Sequence, residues 1–159
     1  MSEETPARPG DGADSPIAPS ELAAWRGFLR VHAELIRVLD AELRERHGLP
    51  LAWYDVLVVL VEAPHRRLRM ADLSASVLLT PSGVTRLVDR MSTAGLVCRE
   101  RCSSDRRGYY AVATARGLAL LSEARPTHRD GVRRLFLAAF EPHELAMLRS
   151  FWQRLPVSA

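Results

Sequence analysis

Thr80-Pro81-Ser82-Gly83-Val84-Thr85-Arg86-Leu87-Val88-Asp89-Arg90-Met91 is a helix written with a start and two faces. A threonine N-cap followed by proline at the first helical position fixes where it begins. Val84, Leu87, Val88 and Met91 recur at i, i+3, i+4 and i+7, the stripe that packs inward. Ser82, Thr85, Arg86 and Asp89 lie away from it. Short hydroxyls and an arginine near the start of an exposed helix suit the major groove. Ser and Thr bond bases or phosphates without bulk, and Arg pairs bidentately with guanine. For Ser82 and Thr85 the competing reading is helix-start capping. Arg90 sits beside the buried stripe, where an internal salt bridge competes with a phosphate contact.

Working outward, a short helix at about Met70 to Val77 precedes this one. After Gly95, extended runs at Leu96 to Arg101 and Tyr109 to Ala113 flank a polar loop and read as a β-hairpin. Helix, tight turn, helix and hairpin is the order of a winged helix-turn-helix. The loop places Arg106 and Arg107 side by side at the hairpin tip, and a narrow minor groove attracts an inserted arginine. Asp105 fits there by orienting a neighbouring Arg through a bidentate pair. Upstream, an amphipathic helix runs from Ser20 to near Gly48. A second, apolar on most sides, runs from Leu51 to Glu62, is expected to be central, and is stopped by Pro64. Downstream, a long helix starts near Ala115 and passes Pro126, which is expected to bend or break it. Glu141-Pro142 opens the last helix. The fold class is mainly α with a small β-hairpin wing.

A chain of 159 residues, 47% of them hydrophobic, suffices for one domain with its own core. It holds no apolar run of the roughly 18 residues a membrane span needs. The acidic, proline-rich N-terminus is not a secretory signal, so a cytoplasmic protein with no membrane partner is expected. All 22 basic residues are arginine, and the net charge of +3 is unevenly distributed. Met1 to Pro64 carries 6 arginines against 11 acids, His65 to Tyr110 carries 9 against 4, and the remainder 7 against 4. Positive charge concentrated in the middle points to a polyanion, with a merely solvated surface as the alternative. There is no nucleophile elbow, His-Glu-x-x-His, Walker loop or dinucleotide fingerprint. The 5 histidines and 2 cysteines lack metal-ligand spacing. Neither catalysis, metal nor cofactor is expected. Four residues of extended strand place Cys98 and Cys102 ~13 Å apart at about 3.3 Å each, too far for the roughly 7 Å of a disulfide unless the wing bends locally.

Tyr54-Asp55-Val56-Leu57, Thr85 through Met91, Gly95-Leu96-Val97, Asp105-Arg106-Arg107-Gly108 and Thr114 through Gly117, in this order and spacing, resemble the MarR family of bacterial transcriptional regulators. The resemblance spans about Glu21 to Leu155. It implies a recognition helix at Pro81 to Ala94 and a wing between the two strands. It also implies a homodimer whose N- and C-terminal helices intertwine into a dimerisation lobe. Residues 1–19, rich in proline and glycine and nearly devoid of large apolar side chains, are expected to be a disordered tail; the domains implied beyond it are an N-terminal dimerisation helix 20–48, a DNA-binding lobe 51–114 and C-terminal dimerisation helices 115–157. By the same resemblance Ser82, Thr85 and Arg86 face the major groove and Arg107 enters the minor groove with Asp105 holding it. Arg106 then lies near the backbone. Arg90 is counted with the DNA-binding residues on its own position, as a phosphate contact in competition with the salt bridge.

Many members of the family are repressors released by small aromatic or phenolic effectors. Trp25, His32, Trp53, Tyr54 and Asp55 are the candidate pocket residues, with His32 and Asp55 as its polar groups. Core packing is the competing role for the aromatics. Cysteine-sensing relatives place their thiol in the first helix, which neither Cys98 nor Cys102 matches. The expected function is a sequence-specific repressor, acting as a homodimer on pseudo-palindromic double-stranded DNA with half-sites about one helical turn apart. The alternative is an interaction or ligand-sequestering module with this fold and no specific DNA reading.

Overall fold

The computed structural model describes residues 16–77, 81–102 and 108–155. The chain divides into two units, Met1–Glu34 and Leu35–Ala159. The first contains the opening of helix α1 (Pro19–His47). There Glu21 accepts the Ala18 N–H at 2.8 Å, a carboxylate at the positive end of the helix. Trp25, Phe28 and His32 follow at helical spacing, their ring centroids 5.9 and 6.1 Å apart.

The second unit is built around α2 (Leu51–Glu62), apolar on most sides as the sequence requires, with Val56, Leu57 and Leu60 fully buried. Pro50, at its N-cap, has no side-chain oxygen to offer. Asp40 on α1 supplies one from a distance, its Oδ1 accepting the Leu51 N–H at 2.8 Å while Oδ2 takes Arg44 Nε at 2.6 Å. Burial alone would raise the Asp40 carboxyl, but these two hydrogen bonds outweigh it and hold it below the usual carboxylate range. The α1 end needs a left-handed residue, which Gly48 provides at φ 62°, its N–H bonded to the Arg44 carbonyl at 2.9 Å.

Beyond α2, Pro64–Arg66 forms a 3-10 turn in which His65 and Arg66 both sit at φ 55°. Side-chain-bearing residues pay roughly 1–2 kcal/mol each for that conformation. The turn feeds a strand that periodicity had not shown, β1 (Arg67–Arg69). Then come α3 (Met70–Ser76), α4 (Pro81–Thr93), β2 (Val97–Arg101), β3 (Tyr109–Ala113) and α5 (Ala115–Leu135). A 3-10 turn (Leu137–Ala139) and α6 (Pro142–Trp152) complete the chain. The hairpin is therefore two strands of a three-stranded antiparallel sheet ordered β1-β3-β2. Leu68 faces Ala111 from one side of β3 and Arg99 faces it from the other.

Glu141 and Glu144 cap α6 reciprocally, Glu141 N–H donating to Glu144 Oε2 at 2.8 Å. Pro126 does not break α5. The expected interruption is overridden by anchors on both sides: Ala124 is fully buried, and Thr127 Oγ1 is 2.8 Å from His47 Nε2. None of the helices among the described residues is long and apolar enough to cross a membrane.

One junction ties α4, β2 and α5 together. Thr114 Oγ1 donates to the Gly95 carbonyl at 2.7 Å and accepts the Gly117 N–H at 3.1 Å, while the Thr114 N–H donates to the Leu96 carbonyl at 3.1 Å. Gly117 must lack a side chain here, because a Cβ would fall on the Leu96 carbonyl oxygen and press on Leu57. Backbone cannot yield as a flexible side chain would. Gly117→Ala is expected to lower the unfolding free energy by about 1–3 kcal/mol, as overpacking does. Urea denaturation measures this, and an unchanged midpoint would show that the junction relaxes freely.

Candidate nucleic-acid interface

Helix α4 has two distinct faces. Val84, Val88 and Met91 are fully buried and Leu87 nearly so, while Ser82, Thr85, Arg86, Asp89 and Arg90 are exposed. Its end is fixed by Gly95 at φ 72°: Gly95 N–H bonds Ser92 O and Leu96 N–H bonds Met91 O, both at 2.9 Å. That pair of bonds is a Schellman closure, and it directs Leu96 back into the core. The expected cap Thr80 lies outside the described residues. Arg86 and Arg90 enter no ion pair among the described residues, so the internal salt bridge weighed for Arg90 is not made with any of them. Asp89 is held by Arg99 of β2, Nη2 to Oδ1 at 2.8 Å, and the same nitrogen reaches the Thr85 carbonyl at 3.3 Å.

Beside α4 the sheet adds further cations. The Arg67 guanidinium lies 4.8 Å and that of Arg69 5.8 Å from the Tyr110 ring centroid, within cation–π range. Arg67 also approaches Glu100 at 3.6 Å. Arg69, Thr85, Arg99 and Tyr109 line a groove of about 360 Å³. The Cys102 N–H donates to Gly108 O at 2.9 Å and closes the base of the hairpin loop. The wing-tip candidates Asp105, Arg106 and Arg107 lie outside the described residues. Neither Cys98, which is exposed, nor Cys102, which is buried, is disulfide-bonded. Among the described residues no group of His, Cys, Asp or Glu could hold a metal.

The five candidate pocket residues have different surroundings. Trp53 lines a second cleft of about 360 Å³ with His47, Leu96, Arg116, Leu120 and Glu123. Tyr54, the next residue on α2, is buried and stacks on His128 of α5, ring centroids 4.4 Å apart. Asp55 is exposed. Trp25 and His32 belong to the first unit and are exposed there. Burial raises the Tyr54 phenol above its ordinary range and lowers His128 below its own.

The chain matches a MarR family model over residues 47–108. It is similar to the crystal structure of AbsC, a MarR family transcriptional regulator from Streptomyces coelicolor, at 35% identity and a TM-score of 0.80, over 86% of this chain and 91% of that one. It is also similar to Sco3205, another MarR family transcriptional regulator from Streptomyces coelicolor, solved in complex with DNA: 33% identity, TM-score 0.83, 88% of this chain and 89% of that one. The HTH-type transcriptional regulator MhqR of Bacillus subtilis is 25% identical over 114 residues, 72% of this chain and 77% of the relative. This chain belongs to the MarR family. It is a winged-helix transcriptional regulator, and α3 and α4 with the β2–β3 hairpin form the winged helix-turn-helix of a MarR protein.

Arg99, like Arg67 and Arg69, is a residue of this surface that sequence reading missed. The alternation of β2 places it on the same sheet face as Val97 and Arg101 (the period of two residues), but no local signal tells which helix that face meets. The Tyr54–His128 stack was equally hidden, because its partners are far apart in sequence. It has a consequence for pH. His128 is held neutral in the fold with its pKa below the ordinary value of about 6.5. As pH falls through that value the unfolded chain takes up the proton first, so stability is full above it and is lost toward the depressed folded pKa. The melting temperature is therefore expected to fall as the pH drops below the ordinary histidine value, and His128→Phe to flatten that decline. Equal slopes in the two proteins would remove His128 from the pH dependence.

Proposed function

We propose that this MarR protein is a homodimeric, sequence-specific repressor that binds a pseudo-palindromic duplex. The observation that carries the reading is the two-sided α4: a fully buried stripe clamps the helix while Ser82, Thr85, Arg86 and Arg90 stand exposed in the most basic third of the chain. In this reading Ser82, Thr85 and Arg86 face the major groove, and Arg90 and Arg106 neutralise phosphate. Arg107, braced by Asp105, enters the minor groove. Residues 51–114 act as the DNA-binding lobe, and residues 20–48 and 115–157 provide the dimerisation helices. The DNA complex of the relative Sco3205 supports a DNA partner. A dimer seated across a duplex excludes other proteins from that stretch, which favours repression.

Exposed apolar residues support the dimer. In α6 no residue is buried, and Met147, Phe151 and Trp152 are all more than two-fifths exposed. In the first unit Trp25, Phe28 and Leu29 are equally exposed. Large apolar surface of this kind on a charged protein marks an interface, and a two-fold dimer is the commonest way to cover it. A small aromatic or phenolic acid is the proposed effector. The cleft beside Trp53 is within the volume range of small-molecule sites, and Arg116 offers it an anion partner. Such an effector acts only by binding the DNA-incompetent arrangement more tightly. The protein works in the cytoplasm, where its DNA is.

Selection of bound duplexes from a random pool at near-physiological salt tests the function. An enriched inverted repeat is expected; salt-sensitive binding without enrichment would favour the interaction or sequestering module instead. On the enriched duplex, Arg107→Ala is expected to cost roughly 1–3 kcal/mol, and unchanged affinity in a folded protein would overturn the wing assignment. In sedimentation equilibrium the wild type is expected at the mass of two chains and Phe151→Glu at the mass of one. A monomeric wild type at micromolar concentration would overturn the dimer.

A further inference from the structure

Asp89 is out of place on a surface meant for DNA. It is a carboxylate on the exposed face of α4, one turn from Thr85, with its side chain 57% exposed. Left free, it would confront the phosphate backbone with like charge, a juxtaposition that weakens and misdirects binding. The fold does not leave it free. Arg99 Nη2 lies 2.8 Å from Asp89 Oδ1 and 3.3 Å from the carbonyl oxygen of Thr85. One guanidinium nitrogen therefore spans a full turn of α4 and fastens it to β2, the strand that leads into the hairpin loop. Arg99 is itself only one-third exposed, with its charge turned to the helix.

We infer that Arg99 is a positioning residue for DNA binding: it neutralises Asp89 on the recognition face and holds α4 at a fixed angle to the hairpin. An exposed ion pair adds little to folding stability, so the value of this one lies in what approaches the surface. The pair also keeps helix and hairpin in register. A duplex can then meet Thr85 and Arg86 on the helix and the strands of the hairpin together, without a prior reorientation of one against the other. Arg99 does not read a base. It acts through Asp89, and removing Asp89's charge makes most of its work unnecessary.

The inference rests on the DNA-binding reading, and its test separates the two. Arg99→Gln, Asp89→Asn and the double variant are compared on the duplex enriched by selection. Arg99→Gln is expected to bind about tenfold more weakly, the scale of one uncompensated charge at an interface. Asp89→Asn is expected to bind at least as well as wild type, and the double variant to recover most of the loss. A loss that Asp89→Asn does not rescue, with a salt dependence shallower by about one phosphate contact, would mean that Arg99 grips the backbone itself and would overturn the inference, as would an unchanged Arg99→Gln. In the DNA-free protein, NMR line shapes of the Arg99 guanidinium are expected to show slowed rotation in wild type and fast rotation in Asp89→Asn. Fast rotation in both breaks the latch whether or not DNA binds. Slow rotation in a wild type that binds no duplex would leave the latch standing and remove the DNA-binding reading alone.

Discussion

The hydroxyl of Thr114 is the point on which the DNA-binding geometry depends. It donates to the carbonyl that ends α4 and accepts the N–H that begins α5, while its own N–H holds the carbonyl of Leu96 at the entry to β2. Three elements that diverge in direction are thus joined within a few ångströms, and Gly117 lets the α5 backbone come close enough for it. The buried stripe of α4 then decides which way that helix faces. Rotation of α4 by even a quarter turn would bury Arg86 and expose Val84, exchanging a desolvated guanidinium for lost apolar burial. No such rotation is available to a helix held at its end by Gly95 and along its length by Val84, Leu87, Val88 and Met91.

Most of this was legible in the sequence because it is local. The 3-4 spacing of α4, the glycines after α1 and α4, and the extended run from Tyr109 to Ala113 are properties of a few consecutive residues, and the structure follows them closely. The faces of α4 were legible for the same reason. What was not legible is non-local. β1 is three residues long, Arg-Leu-Arg, too short for any period, and is a strand only because β3 has a second edge to satisfy. Its approach depends on left-handed His65 and Arg66, which nothing in their side chains announces. Pro126 reads locally as an interruption, yet the Thr127–His47 bond and the Tyr54–His128 stack hold the helix across it. These partners are separated by seventy or more positions, beyond the reach of periodicity.

The same contrast separates two ways of supplying a missing group. Some needs are met nearby, as with the Glu141–Glu144 box at α6 or Thr114 at α5. Others are met from another element. Asp40 caps α2 because Pro50 has no side-chain oxygen, and Asp89 takes its cation from Arg99 of β2 although Arg86 and Arg90 stand on α4 itself. The second kind of device couples elements as well as satisfying them. It makes the orientation of one helix a condition of the stability of its neighbour.

The sheet shows what the arginine bias does for a small exposed structure. Both of its outer strands, β1 and β2, present an open row of backbone donors and acceptors, the usual template for sticking to another chain. Each is short and carries arginines at alternate positions, Arg67 and Arg69 on one, Arg99 and Arg101 on the other. A stray strand pairing with either edge would have to bring its own backbone beside a row of guanidinium groups. A feature suited to meeting a polyanion is therefore also a guard against aggregation, and the sheet ends at three strands.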